Sequence, residues 1–517
     1  MKFPTQFRSL CLLGSFLLAP LSFVHAQYTN GQSASYVIGQ SNFVLGTANA
    51  GSTTNQSGFN TPTSMVIDSA SGKLFVSDTA NNRILRFPSA AAYSSGAAAE
   101  AVIGQTTFTT NTSASASSST VKGPKGITLD SAGNLWVADT TYNRVLCFPS
   151  AVTVTSGTAT ASLVLGQPNF TTTTALVNQY TMSGPTSVAV DSAGSLYVLD
   201  SGANRILRFD NAASLSNGAF ANGLLGQSNF LASTVGTSQS TFKAAPQALA
   251  LDSDGNLWVS DTASNRVLCF ESAASKSIGA NADIVLGQSD FSANSPATSQ
   301  SGFSGPTGLT FDTLGRLYVA DTTNNRVLVF EQPLTLSYQA NASFVLGQSA
   351  FTTGASGLSA TALNAPTGLA YLSAGYLWVV DQGNHRAVSF ALSPGVPTIS
   401  FTHGMKLPSN KQRHFNFFIG NTGGSDEFTL KASIPSGTSK LATLTFLFQG
   451  VDITSSLLAG TFVTPEFQSE SQKIVVKVAP KAADKGGTLR INVTATSVTN
   501  TANAATASIT AKLVRKK

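Results

Sequence analysis

The stretch LYVADTTNNRVLVF, residues 317–330, occurs in six versions along the 517-residue chain. In every version an Asp ends a short apolar segment and an Arg follows five positions later, and successive Asp residues lie 60 or 61 positions apart. The pairs are Asp78 and Arg83, Asp139 and Arg144, Asp200 and Arg205, Asp261 and Arg266, Asp321 and Arg326, and Asp381 and Arg386. A repeat of this regularity indicates a modular fold, and it predicts that the paired residues are structural.

Each repeat carries the sequence signals of four short β-strands. A Pro precedes the first strand, a Gly marks a hairpin to the second, and the Asp-to-Arg turn leads to the third. The fourth apolar segment ends in Gly-Gln, as in IVLGQ at 284–288. One position of the second strand is always aromatic and is predicted to lie in a packed core. Short apolar runs bounded by turn residues predict strands, and four of them per repeat are typical of a β-propeller blade.

The positions of the Gly-Gln segments predict how the ring closes. The first of the six, YVIGQ at 36–40, precedes the first repeat, whereas the sixth repeat has none after Phe390. We therefore predict that the N-terminal strand completes the last blade, which removes unpaired sheet edges. The predicted fold is all-β, with a six-bladed β-propeller as its main part.

In its pattern of residues the repeat resembles the NHL repeat. The shared pattern is Pro, two apolar positions and Asp, then Gly-x-Leu, an aromatic residue and Val, then Asp, Asn and Arg. It covers roughly residues 36–392, although the sixth copy has Leu372 in place of the first Asp and His385 in place of the Asn. The resemblance implies a binding platform or scaffold. It does not by itself imply an enzyme, because propellers host both kinds of protein.

Both ends of the chain differ from the repeats. The N-terminal segment has a basic start, a short apolar stretch and a small-residue cleavage site at Ala26, which predicts a signal peptide and a secreted, periplasmic or cell-envelope location. No later segment approaches the ~20 apolar residues of a transmembrane helix. Short alternating strands at the C-terminus predict an Ig-like β-sandwich. The predicted domains are a signal peptide at 1–26, a propeller at 27–392, a linker at 393–397 and the sandwich at 398–517.

Charge is distributed unevenly between the two predicted domains. Residues 27–392 contain 14 Lys and Arg against 18 Asp and Glu, a net charge of −4, whereas residues 393–517 contain 14 against 6, a net charge of +8. A basic module would suit an acidic envelope polymer or lipid headgroups, although a generically basic, solvated domain explains the same composition. No nucleic-acid-binding motif accompanies the charge, so no nucleic-acid partner is predicted.

The sequence contains no pattern that indicates catalysis. Neither a zinc-like ligand spacing nor a G-x-S-x-G nucleophile motif occurs, and we predict no metal, no cofactor and no catalytic residue. The six repeat Asp residues could converge on a cation at the ring axis, but each has an Arg and a turn Asn nearby in sequence, which favours a structural role. The alternative hypothesis is a propeller hydrolase or lyase that uses a divalent cation at the mouth of the ring.

Binding is therefore the favoured function, and the loops are the favoured place for it. The segments from each Gly-Gln to the next Pro are long and polar, and loops of such length are often functional. A Phe three positions after each Gln is predicted to hold blades together: Phe43, Phe108, Phe170, Phe230, Phe291 and Phe351. The variable turn residues are the predicted binding residues, with Tyr142 expected to be exposed: Asn81, Tyr142, Ser264, Asn324 and Asn384. The hypothesis is an exported, non-enzymatic scaffold that recognises a protein or glycan, with the sandwich as spacer or tether.

Overall fold

The structure is a computed structural model. It describes residues 28–514 apart from 90–93, 337, 374, 393–396, 402–405, 409–412, 422–427, 435–441, 465–471, 481–487 and 498–503. The chain divides into two compact units, one formed by Tyr28–Leu392 and the other containing Ser393–Lys517. The predicted signal peptide and nearly all of the predicted linker lie outside the described residues. In the part of the chain that is described, no helix is long and apolar enough to cross a membrane.

The first unit begins with β1 (Tyr36–Ile38) and continues as four-stranded antiparallel sheets, one for each repeat. Sheet 1 contains β2 (Met65–Ile67), β3 (Lys73–Asp78), β4 (Arg83–Ser89) and β5 (Ala101–Ile103). Sheet 2 contains β6 (Pro124–Leu129), β7 (Leu135–Asp139), β8 (Arg144–Phe148) and β9 (Leu163–Leu165). Sheet 3 contains β10 (Pro185–Val190), β11 (Leu196–Asp200), β12 (Arg205–Phe209) and β13 (Gly223–Leu225).

The remaining repeats form three further sheets of the same design. Sheet 4 contains β14 (Ala248–Leu251), β15 (Leu257–Asp261), β16 (Arg266–Phe270) and β17 (Ile284–Leu286). Sheet 5 contains β18 (Pro306–Phe311), β19 (Leu317–Asp321), β20 (Arg326–Phe330) and β21 (Phe344–Leu346). Sheet 6 contains β22 (Pro366–Leu372), β23 (Tyr376–Asp381) and β24 (Arg386–Ala391), with β1 as its fourth strand.

The start of the chain supplies the outer strand of the last sheet. Strand β1 pairs antiparallel with β24, so that Val37 lies opposite Val388. The reason is visible in the sequence, because the sixth repeat has no Gly-Gln segment of its own. The first strands of neighbouring sheets contact each other in the cyclic order β2, β6, β10, β14, β18 and β22, and β22 contacts β2. The sheets therefore surround a common centre, as in a β-propeller.

The hydrophobic core lies between neighbouring sheets. One cluster joins Trp136 and Cys147 of sheet 2 to Val198 and Phe209 of sheet 3. The prediction that the aromatic position of the second strand is a core position is confirmed, since all six side chains are buried: Phe75, Trp136, Tyr197, Trp258, Tyr318 and Trp378. Both faces of each sheet are covered, which explains why the strands lack a clear polar and apolar alternation.

The described residues of the second unit form two five-stranded sheets and one short helix. Their orders are β25-β27-β32-β29-β30 and β26-β34-β33-β28-β31. The strands are β25 (Pro397–Phe401), β26 (Lys406–Pro408), β27 (Arg413–Asn421), β28 (Phe428–Ser433), β29 (Ala442–Phe448), β30 (Val451–Asp452), β31 (Phe462–Val463), β32 (Gln472–Pro480), β33 (Thr488–Ser497) and β34 (Ala504–Val514), and the helix is α1 (Thr454–Ala459). Phe446 and Val476 from one sheet and Leu430 and Val493 from the other share a single core.

The role of β1 predicts the effect of truncating its central side chain. Val37 is fully buried, so Val37→Ala should lower the free energy of unfolding by about 2 kcal/mol through lost burial and a residual cavity. Val235→Ala is the matched control, because that side chain is 62% exposed, and it should change stability by less than ~0.5 kcal/mol. Urea unfolding measures both. Equal effects would show that β1 is not an integral strand of the sheet.

Candidate functional site

The turn between the second and third strands has the same geometry in all six repeats. A single turn of 3-10 helix follows the Asp, and the next residue has a left-handed backbone conformation, as at Asn204 with φ 50°. Asn tolerates this conformation better than most residues, which explains why it precedes the Arg in five repeats. The turn brings Asp200 directly opposite Arg205 across the two strands.

Each repeat Asp and Arg form a buried ion pair. The Nε of Arg205 donates to Oδ2 of Asp200 at 2.8 Å, and both side chains are fully buried. The other carboxylate oxygen accepts the backbone N–H of Ser183 at 2.6 Å. Burial raises the pKa of Asp200 to about 6, against the opposing effect of the guanidinium, so the carboxylate is ionised at neutral pH. The carboxylate is therefore held by protein donors on both oxygens.

The remaining guanidinium N–H groups hold two long loops. Nη1 of Arg205 donates to the carbonyl oxygen of Phe230 in the following loop at 2.5 Å, and Nη2 donates to that of Thr181 in the preceding loop at 2.9 Å. The same two connections occur in every repeat, and the Nη1 acceptors are the carbonyls of Phe43, Phe108, Phe170, Phe230, Phe291 and Phe351. Each regularly placed Phe is thus the residue whose backbone carbonyl accepts a hydrogen bond from a buried Arg.

Two further side chains fix the same loops. The Gly-Gln residue Gln227 donates from Nε2 to the carbonyl oxygens of Asn204 and Thr234 at 2.9 and 2.7 Å. Oδ1 of Asn204 accepts the backbone N–H of Ala245, which belongs to the next repeat, at 3.1 Å. The Gly before the Gln has φ 84°, and a Cβ there would collide with the ring of Phe242, so only Gly fits. The backbone of the long loops is consequently held by hydrogen bonds to Arg205, Gln227 and Asn204.

At the junction of the sixth and first repeats, His385 replaces the Asn. Its Nδ1 accepts the backbone N–H of Thr61 at 3.0 Å, which is the connection that Asn Oδ1 makes at the other junctions. The imidazole must be neutral at Nδ1 to accept this bond. Burial lowers the pKa of His385 below its ordinary value of 6.5, and the carboxylate of Asp78 opposes the shift. His385 therefore preserves the hydrogen bond between the sixth and first repeats. Protonation of Nδ1 would break this bond.

The five predicted binding residues lie beneath the surface and not on it. The expectation that Tyr142 is exposed is wrong: it is 8% exposed, its ring lies against the guanidinium of Arg144, and its hydroxyl donates to the carbonyl of Ala114. The other four are also buried: Asn81, Ser264, Asn324 and Asn384. The cause is the 3-10 turn, which returns its third residue over the repeat Asp. Nδ2 of each of the three Asn residues donates to that carboxylate at 2.8 Å.

The accessible surface at this end is formed by the long loops themselves. We call it the loop face and define it as segments 41–61, 106–123, 168–184, 228–245, 289–305 and 349–365. Several aliphatic side chains on it are exposed: Val44, Leu45, Leu176, Leu231, Val235 and Leu358. The sequence analysis missed them because it followed the periodic Phe positions. The available signal was an aliphatic residue without a repeat partner in an otherwise polar loop.

A cavity of about 850 Å³ lies at the centre of the first unit. It is lined by the first strands of all six sheets, and we call it the central cavity. The repeat Asp residues are buried within the turns and bound to Arg, and none of them lines the cavity. Among the described residues, no group of three or more His, Cys, Asp or Glu side chains is arranged to hold a metal ion.

The family comparison agrees with the repeat pattern. The family model of the teneurin NHL domain matches residues 14–330. None of the curated proteins matches the chain.

Several solved structures match the chain at low identity. A streptogramin B lyase is 12% identical, with 64% of this chain and 93% of that chain covered and a TM-score of 0.38. A virginiamycin B lyase from Staphylococcus aureus is 13% identical, with 64% and 94% covered and a TM-score of 0.34. A protein of unknown function from Bacteroides thetaiotaomicron is 14% identical, with 71% and 77% covered and a TM-score of 0.42. Similarity at this level carries no functional argument.

Removing one buried guanidinium tests its structural role. Arg205→Met leaves the Asp200 carboxylate buried without its cation and two loop carbonyls without donors, so the free energy of unfolding should fall by about 3 kcal/mol or more. Arg208→Met is the control on the same strand, since its ion pair with Asp210 is partly solvent-exposed and should contribute about 1 kcal/mol or less. Urea unfolding at pH 7.5 compares them. Similar losses would contradict the assigned role.

The His385 junction predicts a pH-dependent contribution to stability. Because the pKa is lowered in the folded state, the unfolded chain binds the proton more readily, and protonation favours unfolding. The contribution of neutral His385 to the free energy of unfolding should be complete above pH 6.5. It should be lost as the pH falls below that value. His385→Asn keeps an acceptor and should remove this part of the pH dependence. Urea midpoints from pH 7.5 to pH 5 measure it, and parallel curves for the two proteins would refute the prediction.

Proposed function

The chain belongs to the family of the teneurin NHL domain, and we propose that it is a non-enzymatic binding or scaffold protein whose loop face recognises a protein or glycan. One observation carries the proposal: the long loops are fixed by buried side chains while aliphatic groups on them remain exposed. Leu231 is 75% exposed and Val235 is 62% exposed in the same loop, whose neighbouring carbonyls are bound by Arg205 and Gln227.

The fixed backbone of the loops and their exposed aliphatic side chains together favour binding of a partner. A loop that is already fixed loses little conformational entropy on binding, so more of its contact energy appears as affinity. Apolar side chains held in water are unfavourable unless a partner covers them, and grouped ones often mark interaction sites. Leu358 lies against Gly46, which brings it next to the loop that carries Val44 and Leu45. The loop face thus offers two apolar areas, one in 41–61 with 349–365 and one in 228–245.

Of the two partner classes, a protein is favoured. The large exposed side chains of the loop face are aliphatic, and they suit the apolar centre of a protein interface. Sugar rings are usually bound by stacking on exposed aromatic rings. Tyr142 would be the natural candidate for such stacking, but its ring is buried against Arg144.

We also propose the finer organisation of the chain. Six blades close into a ring, with β1 completing the last blade, as the pairing of Val37 with Val388 supports. The second unit is an Ig-like β-sandwich that acts as a spacer or tether, and its net charge of +8 would suit an acidic polymer or lipid surface. The protein is exported to the envelope or the exterior after cleavage near Ala26, a proposal supported by the sequence of residues 1–26 alone.

Site-specific cross-linking tests the loop face. A photo-reactive amino acid in place of Leu231 should give a discrete adduct in an extract of the producing cell's envelope. The same group in place of Ile278 should not, because that exposed residue lies in a connection between third and fourth strands, at the opposite end of the sheets. Leu231→Ser with Val235→Ser should then weaken binding of the identified partner about a hundredfold or more, since two apolar groups buried by the partner are lost.

The outcomes separate the hypotheses. Equal adducts from both positions, or none from position 231 together with a blank glycan array, would contradict the proposal. Sugar-specific array binding without a protein adduct would assign the face to a glycan. An increase in the melting temperature with Ca²⁺ or Zn²⁺ that EDTA reverses would instead support the alternative, a hydrolase or lyase with a divalent cation.

A further inference from the structure

The central cavity is polar because of how its walls are made. The first strand of each sheet pairs with the second strand on one side only, and its other edge lies at the centre of the unit. Those backbone N–H and C=O groups along such an edge that make no other hydrogen bond can bind whatever occupies the space, whereas the N–H of Leu249 already donates to Oγ of Ser187 at 3.0 Å. A cavity of about 850 Å³ falls within the range that holds a small organic ligand.

One side chain in this wall differs in charge from all the others. Of the residues that the structure describes, Lys125 is the only charged one that lines the central cavity. It follows the repeat Pro of sheet 2, at a position where the other sheets have uncharged residues: Thr63, Thr186, Gln247, Thr307 and Thr367. Lys125 is thus a departure from the repeat and is not needed to build it.

The ammonium group of Lys125 has no acidic partner among the described residues. By contrast, Nζ of Lys276 lies 2.7 Å from a carboxylate oxygen of Asp283, and Nζ of Lys73 lies 2.8 Å from one of Glu100. Burial alone lowers the pKa of Lys125, with no carboxylate to oppose the shift. A partly desolvated cation without a counter-charge is unfavourable, and an anion would relieve that cost.

A hydroxyl in the same wall is also unused. In sheets 1 and 5 the Thr after the repeat Pro shares a hydrogen bond with the Thr after the repeat Asp, as between Thr307 and Thr322 at 2.6 Å. The residue after the repeat Asp in sheet 6 is Gln382, and the buried Oγ1 of Thr367 makes no hydrogen bond with any described residue. Among the described residues, the wall therefore holds a cation without an acidic partner and no carboxylate, while the Thr367 hydroxyl is buried behind its surface.

We propose that the central cavity binds an oxyanion, a carboxylate, sulfate or phosphate group, at the ammonium group of Lys125. Backbone N–H groups on the inner edges of the first strands that make no other hydrogen bond would supply further donors. A bound cation is disfavoured, because no acidic side chain of the described chain lines the cavity. The cavity shares Ala244, Ala245 and Gly305 with the loop face, but Lys125 lies outside the loop segments. Because the anion site depends on Lys125 and the proposed recognition depends on exposed aliphatic side chains, the two proposals can fail independently.

Calorimetric titration of the full chain tests the site. The probes are sodium sulfate, sodium phosphate and sodium acetate, each at constant ionic strength balanced with sodium chloride. Lys125→Thr should weaken binding of the preferred anion about tenfold or more, the loss expected for one charged hydrogen bond. This variant should fold normally, because Thr occupies the same position in four other repeats. Unchanged circular dichroism and urea midpoint would establish that it does.

Lys122→Met is the matched control, since it removes one positive charge outside the cavity, where Nζ lies 5.7 Å from the ring centre of Tyr142. It should bind the anion as the unaltered chain does. A second readout is the ¹³C resonance of reductively methylated lysines: the signal missing from Lys125→Thr should titrate at higher pH when the anion is present.

Three results would overturn the proposal. Equal affinity in all three proteins would indicate an adventitious ion only. Loss of binding in Lys122→Met and not in Lys125→Thr would place the anion elsewhere. No heat with any of the three anions at millimolar concentration would exclude an oxyanion site. A preference for acetate over sulfate and phosphate would identify the ligand class as a carboxylic acid, and the reverse preference would identify a sulfate or phosphate ester.

Discussion

The structure of the first unit depends on a buried guanidinium group in each repeat, whose three nitrogens all donate hydrogen bonds. Moving an ion pair out of water is costly, and it is tolerated only when the remaining donors and acceptors are satisfied. Here Nε meets the repeat Asp, and the two Nη groups meet loop carbonyls, as in the contacts of Arg386 with Asp381, Phe43 and Ser359. An apolar side chain of the same volume could fill the space, but it would leave those carbonyls without donors.

This constraint connects the sheets to the loops and so to function. Each Arg begins a third strand, and its far end binds the loop before the blade and the loop after it. The Gln of Gly-Gln and the left-handed Asn add further bonds to the same segments. Loops of this length are usually mobile. Here the scaffold fixes their backbone, and the exposed aliphatic side chains are presented from a defined surface, which is the physical basis for proposing recognition.

The sequence predicted the scaffold better than the surface. A spacing of five residues across a tight turn was enough to assign Asp200 and Arg205 to the framework, and the extra segment at 36–40 indicated which strand pairs with β24. The prediction for Tyr142 failed because a 3-10 turn reverses the direction of its third side chain, which residue type alone does not reveal. Lys125 was missed since its significance lies in the absence of a partner, and that requires coordinates.

The central claim is that buried side chains fix the long loops, and native-state hydrogen exchange of the unaltered chain tests it most directly. Gly184, Gly236 and Ala245 belong to the loop face, and their amides donate to protein acceptors. They should exchange hundreds of times more slowly than in an unstructured peptide, with protection close to that of the strand amides. Exchange at nearly unprotected rates, while the strands remain protected, would contradict the account.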